Sequence, residues 1–593
     1  MSGFAGYREL APGGLSPQDF GTLNAALRNL SRDPADEIRV EQVDTSVFAT
    51  YVSTPADGAC RSHNGGRCFV AGDPVVTETQ TSDSSDLNTG RAALAIGLMG
   101  DGDDVLHRAK GEYSAAALRA DGSFRLAAGH VGTRPIHIYH DDHLFAFASN
   151  LRTLMAMLGD RLKVDPVSAA ETLIAGQRRA SNSPYLCMRR LRGGETITAS
   201  HAGIDLRAWF HWSEVERIER SFEDTLALVE RRFLNAVRRR LRDAGKLRYA
   251  ALSGGLDSRL VVLALRELGE PVRTMAVAPP RLADHVLSIG AAQAMGTDHH
   301  IFAVDAAPWL TVMPFSALVA ANLPRLASDT RDQLWLGDGG SVLCGHIYMT
   351  PKSVAAFGRR TPREEAARRM QEYLSFAKLL PAATRDDLLG KVEARLVAEL
   401  TDVHRTWPDA RLRMYLLRTD QETHCDPYYE NIDIYRAPVS HPFFDADYIR
   451  AVFESPIEHL LLHRLQNDLL RRLNEDVWRV PWQVYPGHLP GPTPVPDDIV
   501  LQWDKGRFEK DIFLDRRRSS IAALGSTSVR GAKDAVAPLR LKMATALAKT
   551  PLHDRSFVER LARYARDLKI VPHGGRPAKF GADVPHDHHP PAD

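Results

Sequence analysis

At 593 residues, with 44% hydrophobic and 25% charged side chains, the chain is too long for one core and reads as two to four globular domains. A net charge of +1 gives no basic excess for nucleic acid, and without an apolar run of about 18 residues no membrane span is expected. The start "MSGFAGYREL" lacks the regions of a signal peptide, and five scattered cysteines predict reduced thiols in a cytoplasmic protein rather than a disulfide framework.

Residues 1–210 read as many short strands separated by Gly, Asp and Asn turns; "RPIHIYH" and "HLFAFAS" alternate at period two around "DD", a hairpin signal. Cys60 and Cys68 flank His63 in a Gly- and Ser-rich stretch and read as loop thiols, since no second ligand pair at zinc spacing accompanies them. The tryptophans of "RAWFHW" (207–212) are expected to pack at a domain junction. From about 220 the period changes, and "SFEDTLALVERRFLNAVRRRLRDAG" predicts a helix between a Ser cap and Gly245.

An alternation follows: strand 247–252, helix 258–268, strand 272–278, helix 281–295, strand 300–304, which predicts a parallel sheet covered on both faces. His299 and His300 end a helix and start a strand in this reading, with a structural role. Residues 353–420, rich in Arg and Glu, predict a solvated helical insertion, and "PWQVYPGHLPGPTPVP" (481–496) an extended cover segment. The end of the chain, from about 572, has the composition of a disordered tail. The division expected is 1–210, 211–500 and an extension 501–593.

The most informative stretch is "LRYAALSGGLDSRL" (247–260). Two glycines after a buried strand and before a helix let the backbone approach an anion and adopt positive φ. The helix start offers free N–H groups and the positive end of the peptide dipole. Ser253 and Ser258 add hydroxyls, and Asp257 becomes useful if a divalent cation is shared with a pyrophosphate. The spacing and lysine of a Walker A loop are absent, as is GxGxxG.

The Ser-Gly-Gly-x-Asp-Ser string resembles the pyrophosphate loop of the ATP pyrophosphatases, which cleave ATP between its α and β phosphates. Asp284 with "AAQAMGTDHH", then "LGDGGSVLCGH" and "YRAPVSHPFFDADYI", resembles the asparagine synthetase family, and so do "MSGFAGY", "GHVGTRPIHIY" and "FAFASNLRTL" in the N-terminal half. The resemblance runs in order over roughly residues 1 to 490. It implies an α+β half, an Ntn-hydrolase-like αββα sandwich, followed by an α/β parallel-sheet ATP-pyrophosphatase domain. It also implies ATP and Mg2+ as cofactors, with Leu252, Ser253, Gly254, Gly255, Asp257, Ser258, Val277 and Gly337 contacting nucleotide and Asp257 holding metal.

The departures from the family pattern matter as much. Ser2 stands where the nucleophilic cysteine of the glutaminase would be, "VAGDPVV" (70–76) replaces the glutamine-holding Asn-Gly-Glu, and Gly129-His130 replaces an Arg-Asp pair. These predict a silent glutaminase half. In the synthetase half Ser341 occupies the position of a second metal-binding Asp, while Asp338 remains as a metal-holding or base carboxylate. The family lysine is missing from "HRLQNDLLRRL" (463–473), leaving His463, Arg464 or Arg471 as cations, with Arg464 the catalytic candidate beside Asp338. The activity implied is adenylation of a small-molecule or peptide carboxylate and amide formation. Two other readings stay open: a lasso-peptide-type or β-lactam synthetase-like cyclase acting on a precursor peptide or small substrate, and a non-catalytic nucleotide-binding relative.

Overall fold

The computed structural model describes residues 2–53, 58–76, 87–100, 102–176, 182–241, 245–280, 282–303, 322–323, 333–345, 347–431, 433, 437–501, 521, 524, 530–538, 540–542, 560–565 and 568. The tail expected to be disordered from 572 lies outside these residues. Among them no helix is long and apolar enough to cross a membrane.

Period-two alternation builds the first half. Six antiparallel strands run in the order Met188–Arg190, His137–His140, Leu144–Ala148, Gly3–Glu9, Ser46–Tyr51, Arg39–Val43. A second antiparallel sheet runs Gly203–Ala208, Glu195–Ser200, Phe124–Ala128, Tyr113–Leu118, Gly66–Gly72, Gly58–His63. Phe4, Phe48, Phe145 and Phe147 of the first sheet meet Phe69, Phe124, Leu126 and Ile197 of the second, so each strand's large residues fill the space between the sheets. The alternate residues face outward. Ala5, Tyr7, Val47 and Ala49 pack on Leu23, Leu27, Leu154 and Leu173 of helices Pro17–Arg28, Leu151–Leu158 and Pro166–Ala175. Val70, Ala115 and Ala117 pack near Leu94 and Leu98 of helix Leu87–Met99. The result is a helix–sheet–sheet–helix sandwich. Cys60 and Cys68 lie in paired strands of a hairpin and not in a loop, because the apolar Phe69 and Val70 continue the alternation through them.

The second half carries a parallel sheet in the order Asp298–Ala303, Val272–Ala278, Arg248–Ala251, Leu334–Trp335, Val439–Ser440. The order reverses between Arg248–Ala251 and Leu334–Trp335, which opens a crevice at the carboxyl ends of those two strands. His299 and His300 both belong to the edge strand, where His299 bonds Thr274 and Ser288. Helix Leu256–Glu267 begins two residues before the sequence expectation, so Asp257 lies in its first turn, where a carboxylate suits the dipole.

The insertion contains helices Pro351–Arg359, Pro362–Leu374 and Arg385–Val403; the first two open on capping boxes at Thr350 and Thr361. It is not merely solvated. Met370, Leu379, Leu388 and Val392 join the core around the N-terminal helices, and Arg192 and Asp165 pair with Glu399 and Arg395 across the contact. Described parts of the 501–593 segment return to the same core through Val536, Leu561 and Tyr564, while Tyr185 bonds the carbonyl of Leu568. Trp209, Phe210 and Trp212 pack around His130 at the junction of the halves, as the sequence predicts, and Trp212 donates to the His130 carbonyl.

Fully buried charges also tie the second half together. The Arg240 guanidinium donates to Asp445 at 2.8 Å, and Asp445 caps helix Ala446–Glu454. Arg240→Ala would strand the Asp445 charge in the core, and we expect it to lower unfolding free energy by about 3–5 kcal/mol in urea titration; a loss under about 1 kcal/mol would show that the pair is not holding this helix.

Candidate active site

The crevice between the two central strands is a cavity of ≈ 260 Å³. Its floor is the turn Ser253–Gly255 and the start of helix Leu256–Glu267; one wall is Gly337–Val342, which follows strand Leu334–Trp335. Neither Gly254 nor Gly255 takes positive φ. Closeness is what Gly254 supplies, since a Cβ there would sit 2.7 Å from the Ala283 carbonyl, whereas one on Gly255 would make only an ordinary contact with the Ser253 hydroxyl at 3.6 Å. No side chain caps the helix, so its first amides face the cavity together with the Ser253 and Ser258 hydroxyls, which lie 3.0 Å apart. The Gly254 amide is taken up by Asp284 at 2.9 Å, and Gln483 donates to the same carboxylate oxygen.

Asp257 is half-buried beside this turn and lines the cavity. Ser341 donates to it twice, from its amide at 2.9 Å and its hydroxyl at 2.8 Å, and Gln466 donates a third bond. Burial, only partly opposed by these donors, raises its pKa to about 6. The two loops press together because they are glycine-rich: a Cβ at Gly337 would meet the Ser258 amide at 2.8 Å, and one at Gly340 the Asp257 carboxyl at 2.7 Å. The residue at the position of the family's second Asp does face Asp257, but as a hydrogen-bond donor. Three of the carboxylate's about four acceptor sites are used, and among the described residues no three His, Cys, Asp or Glu gather as a metal site. With these donors in place Asp257 has about one acceptor site left for a cation.

Asp338 lies on the opposite wall. His424 Nε2 is 3.2 Å from one of its oxygens and His441 Nε2 3.6 Å from the other. Burial would push Asp338 up, but the His424 bond and the charges of both imidazoles hold it below the usual carboxylate range. For His424 the balance runs the same way: burial disfavours the cation, and Asp338 outweighs it and raises the imidazole. His424 follows a π-helical turn, Leu417–Gln421, that also brings Gln421 to the cavity.

The segment 481–496 supplies the cover: Trp482, Gln483, Val484, Tyr485 and Leu489 all line the cavity. It is fastened by the Gln483 amide to the Gly254 carbonyl at 3.0 Å and by His488 to His463. Leu462 and His463 both have left-handed backbones (φ 61 and 63), and the conformation accompanies placement of the His463 ring at the cavity.

Of the residues singled out in the sequence, Ser253, Gly255, Asp257, Ser258, Gly337 and Asp338 line one cavity, as does His463. Leu252 and Val277 are fully buried in the sheet region and are not among the lining residues. Arg464 is also placed elsewhere: its guanidinium lies 4.1 Å over the Phe222 ring, and Arg471 lies over Trp478. Both arginines point away because Leu465, Gln466, Leu469 and Leu470 form the buried face of helix Arg464–Leu473. That helix instead presents Gln466 and Asn467 to the site. A glutamine inside the apolar stripe was the sequence signal for it. His424 and the 482–485 side chains carried no motif.

The asparagine synthase family model matches residues 228–321, a span that includes the glycine turn, Asp257 and Asp284. No curated protein matches the chain. Among solved structures, similarity is found to the allosteric regulatory enzyme of purine biosynthesis, at 12% identity and a TM-score of 0.23, covering 46% of this chain and 64% of that one. It is also found to the glutamine phosphoribosylpyrophosphate amidotransferase of B. subtilis complexed with ADP and GMP, at 13% identity and a TM-score of 0.23, covering 55% of this chain and 94% of that one. The chain thus spans less than two thirds of the first of these, and the architecture described above rests on its own strand order.

Asp257 gives a stability test. Its pKa is higher folded, about 6, than the ordinary aspartate value of 3.8, so the folded state binds more protons between these values and stability falls as pH rises from about 4 to 6. The expected amplitude is roughly 3 kcal/mol, and Asp257→Asn should abolish that slope in unfolding titrations across this range. An unchanged slope in the variant would place the carboxyl in a solvated environment.

Proposed function

We propose that the protein is an ATP-dependent amide-forming ligase that adenylates a carboxylate, with an N-terminal half that no longer hydrolyses glutamine. The observation that carries the reading is the uncapped start of helix Leu256–Glu267 with the Ser253 and Ser258 hydroxyls at the topological switch of a parallel sheet, within the asparagine synthase match. Amides and hydroxyls there would hold the ATP phosphates. ATP supplies the adenylyl group that makes a carboxylate electrophilic, with pyrophosphate leaving; a divalent cation belongs here to the nucleotide as substrate. The chain's contribution is positioning and hydrogen bonding in a covered cavity.

The lining favours one class of acceptor. Asp257, Asp284 and Asp338 face the cavity. Among the described lining residues no lysine or arginine is present to pair with the α-carboxylate of a free amino acid. Tyr348, Trp482, Tyr485 and Leu489 suit a carboxylate borne by an uncharged or apolar body, such as a side chain in a peptide. That supports a peptide or small-molecule acid other than free aspartate.

The silent glutaminase is supported by what surrounds Ser2. It is buried beneath Gly58, whose Cβ would meet it at 2.8 Å. Asp73, in the segment that replaces the glutamine-holding motif, bonds Arg91 and Gln333. His130, at the position of the Arg-Asp pair, is kept neutral, its pKa lowered to about 3 by burial.

Carboxylate-dependent exchange of labelled pyrophosphate into ATP tests the reading. Exchange is expected with a peptide acid and not with free L-aspartate, and glutamine should not be hydrolysed. Absence of exchange with every acid tried would contradict adenylation.

A further inference from the structure

We infer that His424 is the base that takes the proton of the attacking amine, and that Asp338, His441 and Glu112 form the line that positions it. The N-terminal half then contributes a residue to the ligase site. This rests on the reading that an activated carboxylate forms in the cavity.

His424 lines the cavity with its side chain 42% exposed, while its Nε2 faces Asp338. An ionised carboxylate only accepts, so Nε2 carries the hydrogen and Nδ1 keeps the lone pair. No hydrogen bond from Nδ1 is found among the described residues. Asp338, the nearer match to a family base, has both oxygens turned to imidazoles. The free lone pair on this wall therefore belongs to His424.

Behind Asp338 the line continues into the other half. His441 is buried, with Nε2 toward Asp338 and Nδ1 3.0 Å from Glu112 Oε2. Glu112 immediately precedes strand Tyr113–Leu118 of the N-terminal sandwich and also accepts from the Thr133 and Tyr429 hydroxyls, each at 3.4 Å. An imidazole with one nitrogen toward each of two carboxylates donates from both when protonated. It then neutralises Asp338 from behind and fixes the carboxylate's direction toward His424. The charged groups facing His424 are Asp338 and Asp420. Those facing Asp338 are the two histidines and, as a like charge, Asp257.

The step balances as follows. The amine lone pair forms the C–N bond at the acyl carbon. The C–O bond to AMP breaks, and its electron pair leaves on the AMP phosphate oxygen. The proton released by nitrogen passes to His424 Nδ1. The products are amide, AMP and an imidazolium that loses its proton through its exposed edge.

The test compares two nucleophiles on the carboxylate that supports exchange: its own amine and hydroxylamine, which is weakly basic and far less dependent on a base. In His424→Gln, amine-dependent product should fall by about 100-fold or more, and hydroxamate by less than about tenfold. Asp338→Asn should move the acid limb of the amine pH–rate profile to lower pH, and Glu112→Gln should lower kcat for the amine while leaving KM for the carboxylate within about twofold. Amine-dependent rates in His424→Gln within about threefold of the parent, or equal losses with both nucleophiles, would overturn the assignment. If no acid supports exchange in the parent, the function reading falls. The imidazole titration by NMR then decides separately, because an identical His424 titration in parent and Asp338→Asn protein would overturn the pairing itself.

Discussion

Asp257, half-buried, places its carboxylate at the meeting of three segments that are far apart in the chain. It starts the helix after the glycine turn, it is held twice by Ser341 from the neighbouring loop, and Gln466 reaches it from a helix more than two hundred positions on. A buried carboxylate stripped of such donors costs several kcal/mol, so the segments are obliged to stay together. Gly337 and Gly340 are the other half of this constraint, since any side chain there would force the loops apart. What remains open after these bonds are made is the face of the helix start that points into the cavity.

The same principle joins the two halves. Their contact is rich in matched charges, each pair buried on at least one side: Arg190 with Asp426, Arg192 with Glu399, Arg32 with Asp433, Glu112 with His441. Such pairs add modest net stability, but each is costly to break on one side only, which fixes orientation. The sandwich, with Ser2 buried and Asp73 bonded by Arg91 and Gln333, thus places Glu112 behind the wall of the other half's cavity. The insertion and the described parts of the last hundred residues reinforce this by packing on the sandwich helices.

Periodicity made the strands of the first half and the parallel sheet of the second legible, while the two-sheet sandwich was an expectation from the family resemblance. The glycine turn was legible as well, although Gly254 answers to crowding by Ala283 and neither glycine takes positive φ. The opposite wall was not. Of the three candidates in 463–473, His463 reaches the cavity while Arg464 and Arg471 lie over Phe222 and Trp478, and the neutral Gln466 is carried inward by the apolar face it shares with Leu469 and Leu470. His424 and His441 have no local pattern, because their roles depend on Asp338 and Glu112, which arrive from other strands. The metal role of Asp257 was read from its place after the glycine pair and from the family resemblance, neither of which reveals the three donor bonds that reach it from Ser341 and Gln466.

The central claim is that the start of helix Leu256–Glu267 holds the phosphates of a nucleotide without Asp257 as a metal ligand. A crystal structure with α,β-methylene ATP and Mg2+ tests it most directly. The account predicts phosphate oxygens on the amides of residues 255–258 and the Ser253 and Ser258 hydroxyls, with Asp257 still bonded to Ser341 and Gln466. A nucleotide bound elsewhere, or Asp257 released from Ser341 to ligate Mg2+, would contradict it.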